Sequence, residues 1–289
     1  MRLRRFLSAL ALASAITATV SAEPADSLDS QETLRPVYAA YTVSAGSSHL
    51  ADTYLSPIKY SGWRVGLGYE RLQAMKFDPE RWVQRLKFDV EVDRTVGPRG
   101  VGVMWYAGLD LSWSMTRRWK LPYGLSAGIG GEASLDAGCL YIDRGGNNPA
   151  SAKAAITVGA TGYCAWNGKV WRLPVTLRYQ ASMPVIGAFF SPDYGELYYE
   201  IYLGNHGGLA HCAWPGNYFR YDHQLTADIS FGSTNLRLGY GGRIFSSKVN
   251  DITTRIFTHY AIVGISGQWM SYNPRKGLSP EARVISATY

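Results

Sequence analysis

The stretch Val101–Met115, VGVMWYAGLDLSWSM, sets Val101, Val103, Trp105, Ala107, Leu109, Leu111, Trp113 and Met115 on one parity. The other parity holds Gly102, Met104, Tyr106, Gly108, Asp110, Ser112 and Ser114, most of them small or polar. A period of two marks a strand with two unlike faces. Strands of soluble domains usually stop after about five or six residues. This one continues well past that, with tryptophans on its apolar side. Such a strand fits a wall between lipid and a polar lumen, where a closed barrel satisfies every backbone hydrogen bond without an edge. A soluble sandwich also alternates, but its strands are shorter and its outward faces are polar.

The pattern recurs. RLKFDVEVD puts Leu86, Phe88, Val90 and Val92 against Arg85, Lys87, Asp89, Glu91 and Asp93. NYFRYDHQLTADISF puts Phe219, Tyr221, Leu225, Ala227, Ile229 and Phe231 against Arg220, Asp222, Gln224, Thr226, Asp228 and Ser230, with His223 on the apolar face. The segments fall at 36–46, 61–74, 83–95, 101–116, 121–136, 153–166, 169–181, 217–231, 235–246 and 253–270. They predict an all-β fold, a transmembrane antiparallel barrel of about ten strands within a range of roughly eight to twelve. Short turns are expected at 77–80, 117–120, 167–168 and 232–234, and mostly longer connections at 47–60, 96–100, 137–152, 182–216 and 247–252. Outer-membrane barrels keep short turns on the periplasmic side, so this phasing places both termini there.

The start of the chain, MRLRRFLSALALASAITATVSA, has a basic head, a short apolar run and a small-x-small close at Val20-Ser21-Ala22. It reads as a secretory signal peptide over 1–22. The domain plan is then a periplasmic linker at 23–35, the barrel at 36–272 and a periplasmic tail at 273–289. The tail, NPRKGLSPEARVISATY, is either an extension or a further strand ending at Tyr289. Mean hydropathy is −0.12, but a barrel hides from hydropathy because its apolar residues alternate with polar ones. The chain has 20 Tyr, 9 Trp and 31 Gly with only 18% charged residues, a composition suited to interfacial aromatic girdles. The net charge of +7 comes without the basic, aromatic-interleaved run expected of a nucleic-acid binder. Cys139, Cys164 and Cys212 have no metal-ligand spacing. Cys139 and Cys212 fall on the same side of the membrane, where a disulfide can form; the alternative is three free thiols.

The lumen parity is charged in both signs. Glu70, Asp89, Glu91, Asp93, Asp110, Glu132, Asp136, Asp222 and Asp228 stand against Arg64, Arg85, Lys87, Arg172, Arg178, Arg220, Arg237 and Arg243. A ten-strand barrel is only slightly wider than one that side chains fill, so these groups are expected to pair across it. A channel would more naturally carry an excess of one sign.

The segment 182–216 is the longest connection and is rich in aromatics. A loop this long usually has a role, and Tyr194, Glu196, Tyr198, Tyr199, His206 and His211 are its candidate binding residues. Ser191, Asp193, Glu200 and the two histidines supply residue types for hydrolysis, but no G-x-S-x-G motif accompanies them. His206 and His211 are five apart around glycines, a poor match to a helical metal pair. No catalytic residue, metal or cofactor is assigned, and the chain is not expected to be an enzyme.

TYLSPIKYSG (53–62) and FSPDYGELYYEIYLGN (190–205) resemble segments of an uncharacterised outer-membrane β-barrel family of Bacteroidetes-type bacteria, DUF3316-like, over most of the mature chain. The resemblance implies a β-barrel in the outer membrane and carries over no catalytic residue. Three readings follow. The first is a small, largely closed barrel with a binding or structural role on its external loops. The others are a narrow channel for small solutes and a membrane-embedded lipid or lipopolysaccharide hydrolase. Expected partners are outer-membrane lipid and lipopolysaccharide, and the barrel-assembly machinery during insertion.

Overall fold

The computed structural model describes residues 33–144, 148–232, 234–270 and 282–288. The leader at 1–22, most of the linker at 23–35, and residues 273–281 and 289 of the tail lie outside them. A two-residue strand β1 (Thr33–Leu34) precedes the wall. The wall then runs β2 (Val37–Asp52), β3 (Ser56–Ala74), β4 (Trp82–Val96), β5 (Val103–Lys120), β6 (Leu125–Ile142), β7 (Ala150–Val170) and β8 (Leu173–Phe190). A long connection carries the short helix α1 (Tyr198–Tyr202) and strand β9 (Ala210–Ala213). The wall resumes with β10 (Tyr218–Phe231), β11 (Thr234–Val249) and β12 (Ile252–Trp269), and β13 (Arg283–Val284) lies in the tail. β8 pairs with β10 and β12 pairs with β2, which closes ten antiparallel strands into a ring. β9 only lengthens the edge of β8.

The ten strands come in the order and number that the alternation predicts, but they are longer. They run from 14 to 21 residues, against the roughly 9–11 that cross a bilayer at a tilt. Part of the wall therefore stands clear of lipid. On β3, Trp63, Val65, Leu67 and Tyr69 face outward while Arg64 and Glu70 are buried inside. Lys59 and Ser61 bound that apolar band at one edge and Arg71 at the other. We call the two ends of the barrel the loop end, where 191–217 lies, and the terminus end.

The turns expected at 77–80 and 232–234 fall at junctions between strands as read, but those at 117–120 and 167–168 do not. β5 continues through Arg117–Lys120 and turns at Pro122-Tyr123-Gly124, where Tyr123 and Gly124 have φ of 60° and 75°. β7 continues through Asn167-Gly168 and turns at Trp171-Arg172, with Trp171 at φ 57°. At the loop end, strands occupy most of the expected connections 47–60 and 137–152 and reach Phe190 in the expected 182–216. Only 191–217 is a long connection, so the asymmetry of the two ends rests on that segment alone.

The interior is layered. At the loop end an apolar layer packs Leu50, Tyr60, Met104, Tyr106, Leu140 and Phe189, with others, inside the ring. At the terminus end Tyr38, Ala40, Leu72, Val83 and Ala287 form a second one. Charged side chains lie between. Gly108 and Gly138 are inward positions where a Cβ would run into the ring of Tyr106. Their missing side chains let that phenol lie flat across the wall.

Ala287 belongs to the tail, which is not a free extension. β13 pairs in parallel with β1, Thr33 opposite Arg283 and Leu34 opposite Val284. Arg118 donates to the Ser286 carbonyl at 2.7 Å and Asn167 to the Thr288 carbonyl at 2.8 Å. Gln268 donates to Ser286 Oγ and Thr288 Oγ1, each at 2.8 Å. Arg283 pairs with Glu80 at 2.5 Å. These anchors sit on β5, β7, β12 and the 75–81 turn, so residues 282–288 cross the mouth of the barrel. Ile285 and Ala287 are buried there, whereas Val284 is 55% exposed. Ile285→Ala should therefore cost about 2 kcal/mol of stability. Val284→Ala should stay within about 0.5 kcal/mol. Urea unfolding in detergent micelles reads both; equal effects would mean that the tail is not seated in the mouth.

Candidate functional site

Two tiers of ion pairs fill the lumen between the apolar layers. In the tier nearer the loop end, Arg243 donates to Glu91 at 2.6 Å, to Asp110 at 2.6 Å and to Asp222 at 2.8 Å. Arg220 meets Asp110 at 2.8 Å, Asp222 at 2.5 Å, and Asp136. Arg64 pairs with Glu91 and lies over the Tyr260 ring at 3.8 Å. In the second tier Glu70 bridges Arg85, at 2.5 Å, and Arg237. Arg237 also grips Asp228 through two bonds of 2.8 and 2.9 Å and reaches the Tyr38 hydroxyl at 2.7 Å. Glu132 stands 3.8 Å from Arg85. Arg178 lies over Tyr163 at 4.2 Å and donates to Gln180 at 2.9 Å. Lys87 and Asp89 pair with each other at 2.5 Å.

The Arg243–Asp110 pair joins β11 to β5. Going round the ring through β12, β2, β3 and β4, these strands are five places apart, on opposite walls. The cavities left around the tiers hold about 40, 40 and 20 Å³. That is room for a few waters each, not for a solute.

Arg172 is not part of this arrangement. It shares the parity of Arg178, but it sits in the exposed 171–172 turn, where strand parity no longer decides direction. Asp52 and Lys153 were not among the expected lumen charges. Asp52 is fully buried at the loop end, paired with Lys153 at 2.7 Å and accepting from Ser151 and Thr254 at 3.2 Å each. It continues the inward parity of β2, which the expected strand end at 46 cuts off.

Above this lies the 191–217 connection, and it is fastened from below. Glu196 accepts from the Asp193 backbone at 3.0 Å and from Asn205 at 2.7 Å. Its carbonyl accepts the Tyr54 hydroxyl at 2.6 Å. Burial and nearby carboxylates push the Tyr54 phenol up to about 12, so it stays a neutral donor. Tyr198 accepts from the Ala152 backbone at 2.6 Å and stands edge-on to Tyr54. His211 Nε2 lies 3.1 Å from the Ser191 carbonyl, and its ring packs on Phe189. Glu196, Tyr198 and His211 thus hold the cap in place. Tyr194, Tyr199 and His206 point away into solvent, as do Tyr202 and Trp214.

The elements of a hydrolase do not converge in this cap. Ser191 Oγ donates to the Pro192 carbonyl, and His211 faces the backbone of Ser191 rather than its hydroxyl. Among the described residues no group of His, Cys, Asp and Glu has the arrangement of a metal site. Cys139, Cys164 and Cys212 are free and exposed.

Charge is sorted between the two faces of the wall. The Asp and Glu residues of the barrel strands all lie on lumen parities. The outward parities carry cations at the rims of the apolar band, among them Lys59, Arg71, Arg94, Lys248 and Arg255.

One family model, described as "Protein of unknown function (DUF3316)", matches residues 5–276. None of the curated proteins matches the chain. Among solved structures, the outer membrane protease OmpT of Escherichia coli is similar at TM-score 0.47 and 6% identity, over 81% of this chain and 97% of that one. The beta domain of the Bordetella autotransporter BrkA is similar at TM-score 0.42 and 11% identity, over 82% and 100%. The COG4313 outer membrane channel of Pseudomonas putida F1 is similar at TM-score 0.30 and 10% identity, over 86% and 100%.

Removing Arg243 leaves Asp110, Asp222 and Glu91 short of a partner in a water-poor interior. Arg243→Ala should cost about 3–5 kcal/mol, while Arg172→Ala in the exposed turn should cost less than about 0.5 kcal/mol. The heat needed to convert the folded to the unfolded band on SDS gels ranks the variants. Equal behaviour would mean that Arg243 is solvated rather than bridging.

Proposed function

The chain belongs to the DUF3316 family, and we propose that it is a closed outer-membrane barrel that acts at its loop end rather than through its lumen. Its termini and the 282–288 segment face the periplasm, and 191–217 faces the cell surface. The observation that supports this best is the Arg243–Asp110 pair, which crosses the full width of the ring. Apolar layers above and below it narrow the lumen further. A conducting pore needs a continuous polar path, with binding weak enough to let the solute leave.

Recognition then falls to the surface of the cap. Tyr194, Tyr199 and Tyr202 are 66%, 66% and 83% exposed, and Trp214 is 57% exposed. Aromatic side chains of this kind present large, stiff contact area at small entropic cost. The bonds at Glu196, Tyr198 and His211 fix the cap's backbone, so these rings are held before a partner arrives. Lipid around the wall and the assembly machinery during insertion are further partners of this reading.

In planar bilayers the refolded protein should show no stable single-channel openings. A variant lacking 191–217 should stay equally silent, because the ion pairs and not the cap close the lumen. Steady openings of the intact protein would sink the proposal, and openings confined to the deletion variant would make the cap the plug.

A further inference from the structure

The outer wall carries a hollow that the closed-barrel reading does not use. It lies at the loop end, between β2, β3 and β12, and encloses about 260 Å³. His49, Lys59, Ser61, Arg255 and Phe257 line it. The cross-strand register explains the grouping. Phe257 stands opposite His49, His49 opposite Ser61, and Arg255 opposite Ala51. A bulge between Leu50 and Asp52 breaks the pairing of β2 with β3 there. The wall opens at this irregularity. His49 Nδ1 and Ser61 Oγ are 2.9 Å apart and form one side of the hollow.

We propose that this hollow binds the phosphate of a phosphorylated glycolipid, of the lipid A type, in the leaflet at the loop end. Three observations converge on that chemistry. First, the hollow is at headgroup depth. On β3 the outward apolar run ends at Trp63, and Ser61 and Lys59 follow it, two and four residues further out. Trp63 packs edge-on against Trp105 at 6.2 Å, and His259 packs near Tyr240 at 6.4 Å. Tryptophan and tyrosine gather where acyl chains give way to headgroups. Second, the hollow carries two cations, Lys59 and Arg255, on a mostly apolar lining, and no carboxylate of the strands shares its outward face. Lys59 and Arg255 are exposed and enter none of the ion pairs of the described residues, and the carboxylates of the strands all face the lumen. Lys248 extends the same face, two residues along β11 from Ser246, which pairs with Arg255. Third, the lining matches a phosphate on a hydrocarbon stem. Arg255 offers a planar fork of donors and Lys59 a point charge, while Phe257 and Ala51 supply an apolar floor.

The inference rests on the reading that the loop end faces the cell surface, where the phosphorylated glycolipid of an outer membrane resides. The test therefore carries a separate topology arm, protease shaving of the 191–217 cap on intact cells. Binding is read by native mass spectrometry of the full chain released from detergent with purified bis-phosphorylated lipid A. Parallel samples hold the enzymatically dephosphorylated lipid and phosphatidylglycerol. The wild-type protein should retain bis-phosphorylated lipid A in preference to both. A cation near a membrane surface is worth about fivefold in affinity. Lys59→Ala and Arg255→Ala should each weaken retention by about that factor, and the pair by about thirtyfold. Arg71→Ala, at the opposite rim, should leave retention unchanged. Both residues of the hollow face outward, so folding should survive, and the SDS-gel band shift checks that it does. Equal retention of the dephosphorylated lipid, or of phosphatidylglycerol, overturns the proposal, as does full retention by the double variant. If the cap resists shaving outside cells but is cut in spheroplasts, the orientation fails instead.

Discussion

A charge in a wall that faces lipid has one place to go. An ionised side chain on the lipid face of a barrel costs several kcal/mol at mid-depth and little near the rims. The strands obey that gradient on both counts. Their carboxylates point inward without exception, and their outward cations sit at the rims. Turning a charge inward does not remove the cost of drying it; a partner with good geometry must do that. In a ring of ten strands an arginine is long enough to reach the far wall, so the partners need not be neighbours. Arg243 and Arg220 draw carboxylates from β4, β5, β6 and β10 into one cluster. A one-residue slip of any of these strands would turn its charge toward lipid. The tiers therefore fix register as well as closing the lumen.

The apolar layers complete that arrangement. Ion pairs open to solvent are screened over about 8 Å at physiological ionic strength. The Leu50–Phe189 layer lies above the tiers and the Tyr38–Ala287 layer below them. The protein thus has two electrostatic regimes a few ångströms apart across one wall. Most of the lumen pairs are buried and so weakly screened, while Lys59, Arg71 and Arg255 on the outside are exposed.

The same layering explains what could be read from the sequence. Between residues 83 and 95, or 101 and 116, the inward face is polar and the outward face apolar, so a period of two is plain and the strands are found. Past the charged tiers the inward face becomes apolar too. In 137–142, Leu140 and Ile142 look inward while Cys139 and Tyr141 look outward, and the contrast vanishes. The same happens in 182–190, where Phe189 fills the loop-end layer among apolar neighbours. Those stretches read as connections although they are strand. Asp52 was lost in the same way within 47–60, while Lys153 opens the expected strand 153–166 on the lumen parity and was passed over. Arg172 failed for the opposite reason, since parity was carried beyond the last residue of the strand. The cap gave up its aromatic character to the sequence but not its division of labour. The tertiary contacts of Tyr54 with Glu196, of Ala152 with Tyr198 and of Phe189 with His211 separate the fastening residues from the exposed ones.

The tail has a consequence for how the ring is held shut. β2 and β12 are the first and last strands of the wall, and their seam joins residues more distant along the chain than any other pairing of the wall. Such a pairing carries the largest loop-closure entropy and forms late. β1 leads into β2 and β13 follows β12, so the β1–β13 pair lies just beyond both sides of that seam. It joins Thr33 to Arg283 and Leu34 to Val284, so the two ends of the wall are tied a second time at the terminus end. The same segment is anchored on β5, β7 and β12, so it ties together strands from well-separated parts of the ring as well as the two sides of its closure.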